Sequence, residues 1–187
     1  GAFADGTVLL ATNYTGGPAP WPAIEAPESE NPYDTGDLFH GPAFHLLRSL
    51  KMGDSGASAR LDAAGGDVPM GLLNQALLDA TTHCIPHDRL HLWCSDIGAD
   101  QVAYPAFITD MGIYGLTPKT GEVRCEVRFD GFFGGPRFPA FGIQLICGDS
   151  VWCFWKRVPL APGEFLYAIP GLHEGVAVAE DRHGQSG

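Results

Sequence analysis

One stretch sets the terms for the rest of the chain: Gly71-Leu72-Leu73-Asn74-Gln75-Ala76-Leu77-Leu78-Asp79-Ala80-Thr81-Thr82-His83-Cys84. It is the best helix candidate in a sequence that otherwise reads mainly as strands. Leu73, Leu77, Ala80 and Cys84 recur at helical spacing and give the segment one apolar face. Asp79 and His83 are four residues apart, so they project from neighbouring places on that helix. Spacing alone leaves two readings. Either the pair is a solvated contact, with His83 near the helix end at Pro86, or the helix lies inside a sheet and shows Asp79 to a substrate passage. A carboxylate held out of water needs partners.

Composition narrows the setting. At 187 residues, 45% apolar and 18% charged, the chain can fill a core and is no disordered segment. Its 25 glycines and 15 prolines predict many turns and few long helices. A formal charge of −11 leaves no basic stripe for phosphates, which argues against nucleic acid and against an anionic membrane surface. No apolar run approaches the ~20 residues of a membrane span, and no secretory signal opens the sequence. Five scattered cysteines without a CxxC predict neither a disulfide framework nor a zinc site, and fit a reducing cytoplasm. The first residue is Gly rather than Met, which predicts a piece of something longer.

Three regions follow from the pattern. In residues 1–30, Thr7 to Ala11 reads as one short strand, the tail of a preceding unit, and a Pro-rich linker follows it. Residues 31–158 hold the main body. There Gly41-Pro42 predicts a short helical turn, and the segment from Leu50 to Leu61 predicts a hairpin closed by Gly53-Asp54-Ser55-Gly56. Val102 to Ile108 and Met111 to Leu116 read as short strands, with Pro105 at an edge or bend. Val123, Cys125, Val127 and Phe129 alternate with polar residues, the cleanest period-two run in the chain. Phe138 to Cys147 and Val151 to Arg157 form a further hairpin across Gly148-Asp149. Residues 159–187 read as a loosely packed tail. His87 and His91 are spaced like helical metal ligands, but no HExxH and no third ligand accompany them. They read as solvated residues on a helix extension, and no metal site is predicted.

A hairpin, one central helix and then three or more antiparallel strands suit an α+β hot-dog fold, a curved sheet wrapped around a helix, and would also suit other α+β folds. Three segments carry a family resemblance. Phe39-His40-Gly41-Pro42-Ala43-Phe44 is similar to the Tyr-Gly-Pro-x-Phe motif that opens the second hot-dog unit of polyketide synthase dehydratase domains. Leu77-Leu78-Asp79-Ala80 with His83 resembles that unit's central-helix motif. Val102-Ala103-Tyr104-Pro105-Ala106-Phe107 stands where the family has Leu-Pro-Phe-x-Trp. Related units occur in polyunsaturated fatty acid synthases.

The resemblance implies loss of water from a β-hydroxyacyl thioester carried on the phosphopantetheine arm of an acyl carrier protein, with no other cofactor. It implies Asp79 as the proton donor to the leaving hydroxyl, with His83 steadying it. The reaction needs an acid and a base at once, and a dry passage is expected to raise the carboxyl pKa. His40, Gly41, Pro42, Phe44, Tyr104 and Pro105 are the implied substrate-binding residues, His40 standing where the family has a tyrosine. The family's base lies in the first hot-dog unit, in His-x-x-x-Gly-x-x-x-x-Pro, which this sequence lacks. The chain is therefore expected to be a second half, completed by a first hot-dog unit in a homodimer or pseudo-dimer. A non-catalytic unit that dimerises or docks a carrier protein, and a hot-dog thioesterase, are the alternatives.

Overall fold

The computed structural model describes residues 6–135 and 138–162. Its elements run α1 (Pro32–Thr35), β1 (Leu47–Met52), β2 (Gly56–Asp62), α2 (Gln75–Ala80), β3 (Ala103–Pro105), β4 (Met111–Ile113), β5 (Glu122–Phe132), β6 (Pro139–Cys147) and β7 (Ser150–Pro162). The strands form one antiparallel sheet in the order β1-β2-β5-β6-β7-β3, with β4 also paired to β7. Both hairpins predicted from the turn residues are present, at Gly53 to Ser55 and at Gly148-Asp149. Gly148 has φ +58°, a conformation that glycine adopts without steric cost.

Register slips bend the sheet. They fall between Phe129 and Phe132 on β5, and between Phe141 and Ile143 and between Leu145 and Ile146 on β6. The sheet's apolar face closes on α2. Ala76, Leu77 and Ala80 share one core with Ala59, Leu61, Val123, Cys125, Val127 and Ile143. Full burial of Leu77 alone contributes about 1.5–3 kcal/mol. This is the expected hot-dog arrangement, with Leu77, Ala80 and Cys84 turned inward as their spacing required.

The helix is shorter than the apolar periodicity suggested. Asn74 is buried and caps it, its Oδ1 accepting from the Leu77 amide at 3.0 Å and its Nδ2 donating to the Ala63 carbonyl at 2.9 Å. Leu73 therefore precedes the helix. At the other end, the Thr81 and Thr82 hydroxyls donate back to the Leu78 and Asp79 carbonyls, and the chain tightens into a 3-10 turn at Thr82–Cys84.

Two expectations at the ends need correction. Thr7 to Ala11 forms no strand, and Val8, Leu9 and Leu10 are exposed. No neighbouring strand offers it a ladder among the described residues, and an unpaired strand has no hydrogen bonds to hold it. Strand β7 also continues past residue 158 to Pro162. The rest of the expected loose tail lies outside the described residues.

The supposed linker is a strap across the outer face of the sheet. The Trp21 amide donates to Gln144 Oε1 at 2.8 Å, and Gln144 Nε2 donates to the Ala19 carbonyl at 3.2 Å. The Trp21 ring meets Phe154 edge-on at 5.5 Å. Arg124 and Arg128 donate to the Trp21 and Pro22 carbonyls and to Glu126, which also accepts from Ser58. Glu126 is 0% exposed, and the paired cations and the hydroxyl satisfy the charge that burial would otherwise penalise. Proline-rich composition had suggested an extended spacer. The polar partners of Gln144 and Glu126 hold it down instead.

Candidate active site

Three elements converge on one carboxylate. Asp79 projects from α2, His83 from the following 3-10 turn, and His40 from the segment entering the Pro42–Phe44 turn. Asp79 Oδ2 lies 3.2 Å from His83 Nε2 and 3.6 Å from His40 Nε2. The two imidazole rings sit with centroids 4.0 Å apart. The His83 side chain is 0% exposed, whereas that of Asp79 is 40% exposed. The i,i+4 pair is thus no solvated surface contact.

Tyr33 of α1 fixes the buried imidazole. Its hydroxyl lies 2.7 Å from His83 Nδ1 and 3.1 Å from the Phe44 carbonyl oxygen. That carbonyl can only accept. The phenol donates to one of these two acceptors, and Nε2 on the far side of the ring faces Asp79. Burial pushes the Tyr33 phenol well above its ordinary value, so it stays protonated. Its ring stacks on His45 at 3.9 Å, and His45 Nε2 lies 2.6 Å from the His40 carbonyl oxygen.

A cleft of about 420 Å³ opens on the carboxylate. His40, Asp79, Tyr104 and Pro105 line it, as expected, together with Phe39, His87, Phe107 and Trp155. Gly41, Pro42 and Phe44 do not. They sit in the turn behind His40 and position it, the His45 amide closing that turn on the Pro42 carbonyl at 3.1 Å. His83 also stays out of the cleft and meets it through Asp79.

The electrostatics differ from the expectation of a raised carboxyl. Burial pushes the Asp79 carboxyl up, but the imidazoles of His83 and His40 beside it outweigh that, and the group is held below the ordinary carboxylate range. The cause is the partial exposure of Asp79, which limits desolvation while both rings stay close. Burial and the neighbouring His83 lower the His40 imidazole, with Asp79 opposing them.

His87 was expected on a solvated helix extension. Its ring instead spans two backbone carbonyls, with Nδ1 2.7 Å from Ala103 O and Nε2 2.9 Å from Thr82 O. It ties β3 to the turn carrying His83. His91 is elsewhere, in the Leu90–Leu92 turn. Tyr33 and His87 were not legible as site residues. Nothing at Asn31-Pro32-Tyr33 marks a partner fifty positions on, and the four-residue spacing of His87 and His91 pointed to the wrong geometry.

No protein-family model matches the sequence. Among solved structures, the chain is similar to the pyran synthase domain from module nine of the sorangicin pathway, with TM-score 0.58 and 18% identity over 79% of this chain and 58% of that one. It is similar to the dehydratase domains from the CurJ and CurH modules of the curacin polyketide synthase. The TM-scores are 0.56 and 0.55, the identities 12% and 16%, over 72% and 79% of this chain and 50% and 56% of theirs. The fold is therefore that of the hot-dog dehydratase domains of polyketide synthases, and the chain spans about half the length of those domains. D-serine dehydratase of Citrobacter koseri and the probable enzyme of Colwellia psychrerythraea are 40% and 38% identical to it over 50 residues. That stretch is 27% of this chain and 11% of each enzyme, too short to define a family.

Proposed function

We propose that this chain is the second hot-dog unit of a dehydratase that removes water from a β-hydroxyacyl thioester in a polyketide or fatty acid synthase. The observation that carries the reading is the Asp79 carboxylate, set between two imidazoles at the wall of a mostly apolar cleft. Asp79 delivers the proton to the leaving hydroxyl. His83, locked by Tyr33, holds the carboxyl in place, and His40 lies beside the substrate. The base that takes the α-proton comes from a first hot-dog unit outside this sequence. The reading gains support from the half-length match to solved dehydratase domains.

The protonation state follows from assembly. A second unit closing over the cleft removes water from the exposed part of Asp79. Desolvation then strengthens against the two imidazoles and raises the carboxyl toward the proton-bearing form that elimination needs. The substrate arrives on the phosphopantetheine arm of an acyl carrier protein, and the working site is cytoplasmic. Among the described residues no helix is long and apolar enough to cross a membrane.

The test is turnover of β-hydroxyacyl thioesters by the full-length parent and its Asp79→Asn variant. A fall of about 10²–10⁴-fold in enoyl product is expected, the range for losing a general acid. Unchanged turnover overturns the assignment. Release of free acid without enoyl product identifies a thioesterase. Carrier-protein binding without any reaction identifies a non-catalytic unit.

A further inference from the structure

We propose that His40, Asp79 and His83 bind one divalent ion of the zinc class.

The spacing is the first argument. His83 Nε2 and His40 Nε2 stand 3.2 and 3.6 Å from Asp79 Oδ2. Ligands ~2.0–2.1 Å from a tetrahedral centre lie ~3.3 Å from one another. The three donor atoms all fall within 4.8 Å of one another, a grouping found nowhere else among the described residues. Two imidazoles and a carboxylate select zinc, copper, nickel or iron over magnesium and calcium, which take oxygen sets. The separations at Asp79 are close to those of neighbouring ligands on zinc.

The second argument is unmet polarity. Asp79 Oδ2 and His83 Nε2 are both shielded from solvent, and neither makes a hydrogen bond of ordinary geometry. Buried polar atoms without partners are costly and rare in native folds. The Tyr33 contact gives the orphaned nitrogen its meaning. With Tyr33 held at Nδ1, Nε2 is the ring nitrogen turned toward Asp79, and it is a ligand in the tautomer that keeps its proton on Nδ1. A metal-bound histidine is held in this way by a partner on its other nitrogen. His40 and Asp79 line the cleft, so an ion has a path to them from solvent. Sequence spacing concealed the site, because its ligands come from a loop, a helix and a turn rather than from one motif.

Cobalt is the probe. The metal-free chain is titrated with Co2+ and followed by visible absorption, with zinc added afterwards. The expected result is one equivalent of cobalt with the strong band of a tetrahedral complex, displaced by one equivalent of zinc. Asp79→Asn and His83→Gln are expected to lose the band, and His91→Gln to keep it. Tyr33→Phe is expected to bind ~10–100-fold more weakly, as for a lost partner of a ligating histidine. Asp79 is partly exposed and asparagine is its isostere, so that variant probes the ligand without probing the fold. No band in the unaltered chain, or a band surviving in Asp79→Asn, overturns the site.

Discussion

The Tyr33 hydroxyl lies 2.7 Å from His83 Nδ1, joining the first helix of the fold to the turn after the second. Fifty residues separate the two in sequence, and the contact fixes which nitrogen of a buried imidazole faces Asp79.

Tyr33→Phe keeps the ring that stacks on His45 and removes only the oxygen. His83 Nδ1 then has no partner in a dry site, which costs about 1–3 kcal/mol. Chemical denaturation of the variant is expected to show that loss. On the proposed function, turnover is expected to fall as well, because His83, which faces Asp79, loses its anchor. Full stability in the variant would count against a fixed imidazole.

The strap supplies a second prediction. Glu126→Ala removes the carboxylate that Arg124 and Arg128 share beneath it and leaves the Ser58 hydroxyl without its acceptor, at an expected cost of about 1–3 kcal/mol. A chain lacking residues 1–14 is expected to melt like the full one, since that stretch is exposed along its described length. A chain lacking residues 1–24 is expected to melt well below it. Equal melting temperatures for both truncations would show that the strap is a passive spacer.

The Asp62 carboxyl gives a pH dependence with a definite sign. The Ala64 amide, at 3.0 Å, and then Arg48, also at 3.0 Å, hold it below the usual carboxylate range. A depressed folded-state pKa adds stability above the unfolded value of about 3.9 and loses it as pH falls through the folded value. Asp62→Asn is therefore expected to be less stable than the unaltered chain at pH 7, with the gap closing in acid below that range. A gap that persists at pH 2 would refute the linkage.

Two glycines separate packing from chance. A Cβ at Gly56 would collide with the Val127 carbonyl oxygen across the β2–β5 ladder. Backbone cannot yield as a side chain can, so Gly56→Ala is expected to cost at least ~1–3 kcal/mol. A Cβ at Gly41 meets nothing within 4 Å, and its φ of −72° suits any residue. Gly41→Ala is expected to melt unchanged. Differential scanning calorimetry of the two variants decides both.

Much of this fold was legible because it is local. Val123, Cys125 and Val127 alternate with polar neighbours, and they are buried as alternation requires. Gly148-Asp149 turns where such a pair should. Asp79 and His83 were readable because four residues on a helix fix their proximity. Asn74 escaped notice as a cap, because the apolar periodicity begins before it. The strap escaped because its prolines speak of an extended backbone, while its docking depends on Gln144 and Glu126, more than a hundred positions away. His87 escaped because its partners are backbone carbonyls, which no side-chain pattern encodes.

The length of β7 has a practical bearing on where this chain can be cut. Tyr104 and Pro105 hang on its final turns of ladder, opposite Ala161 and Leu160. Trimming at residue 158, where the tryptophan-rich run gives out, would spare the large sheet yet unmoor the cleft's outer bank. A shortened protein of that kind would keep most of its ladder and lose the pairing that holds one wall of the cleft.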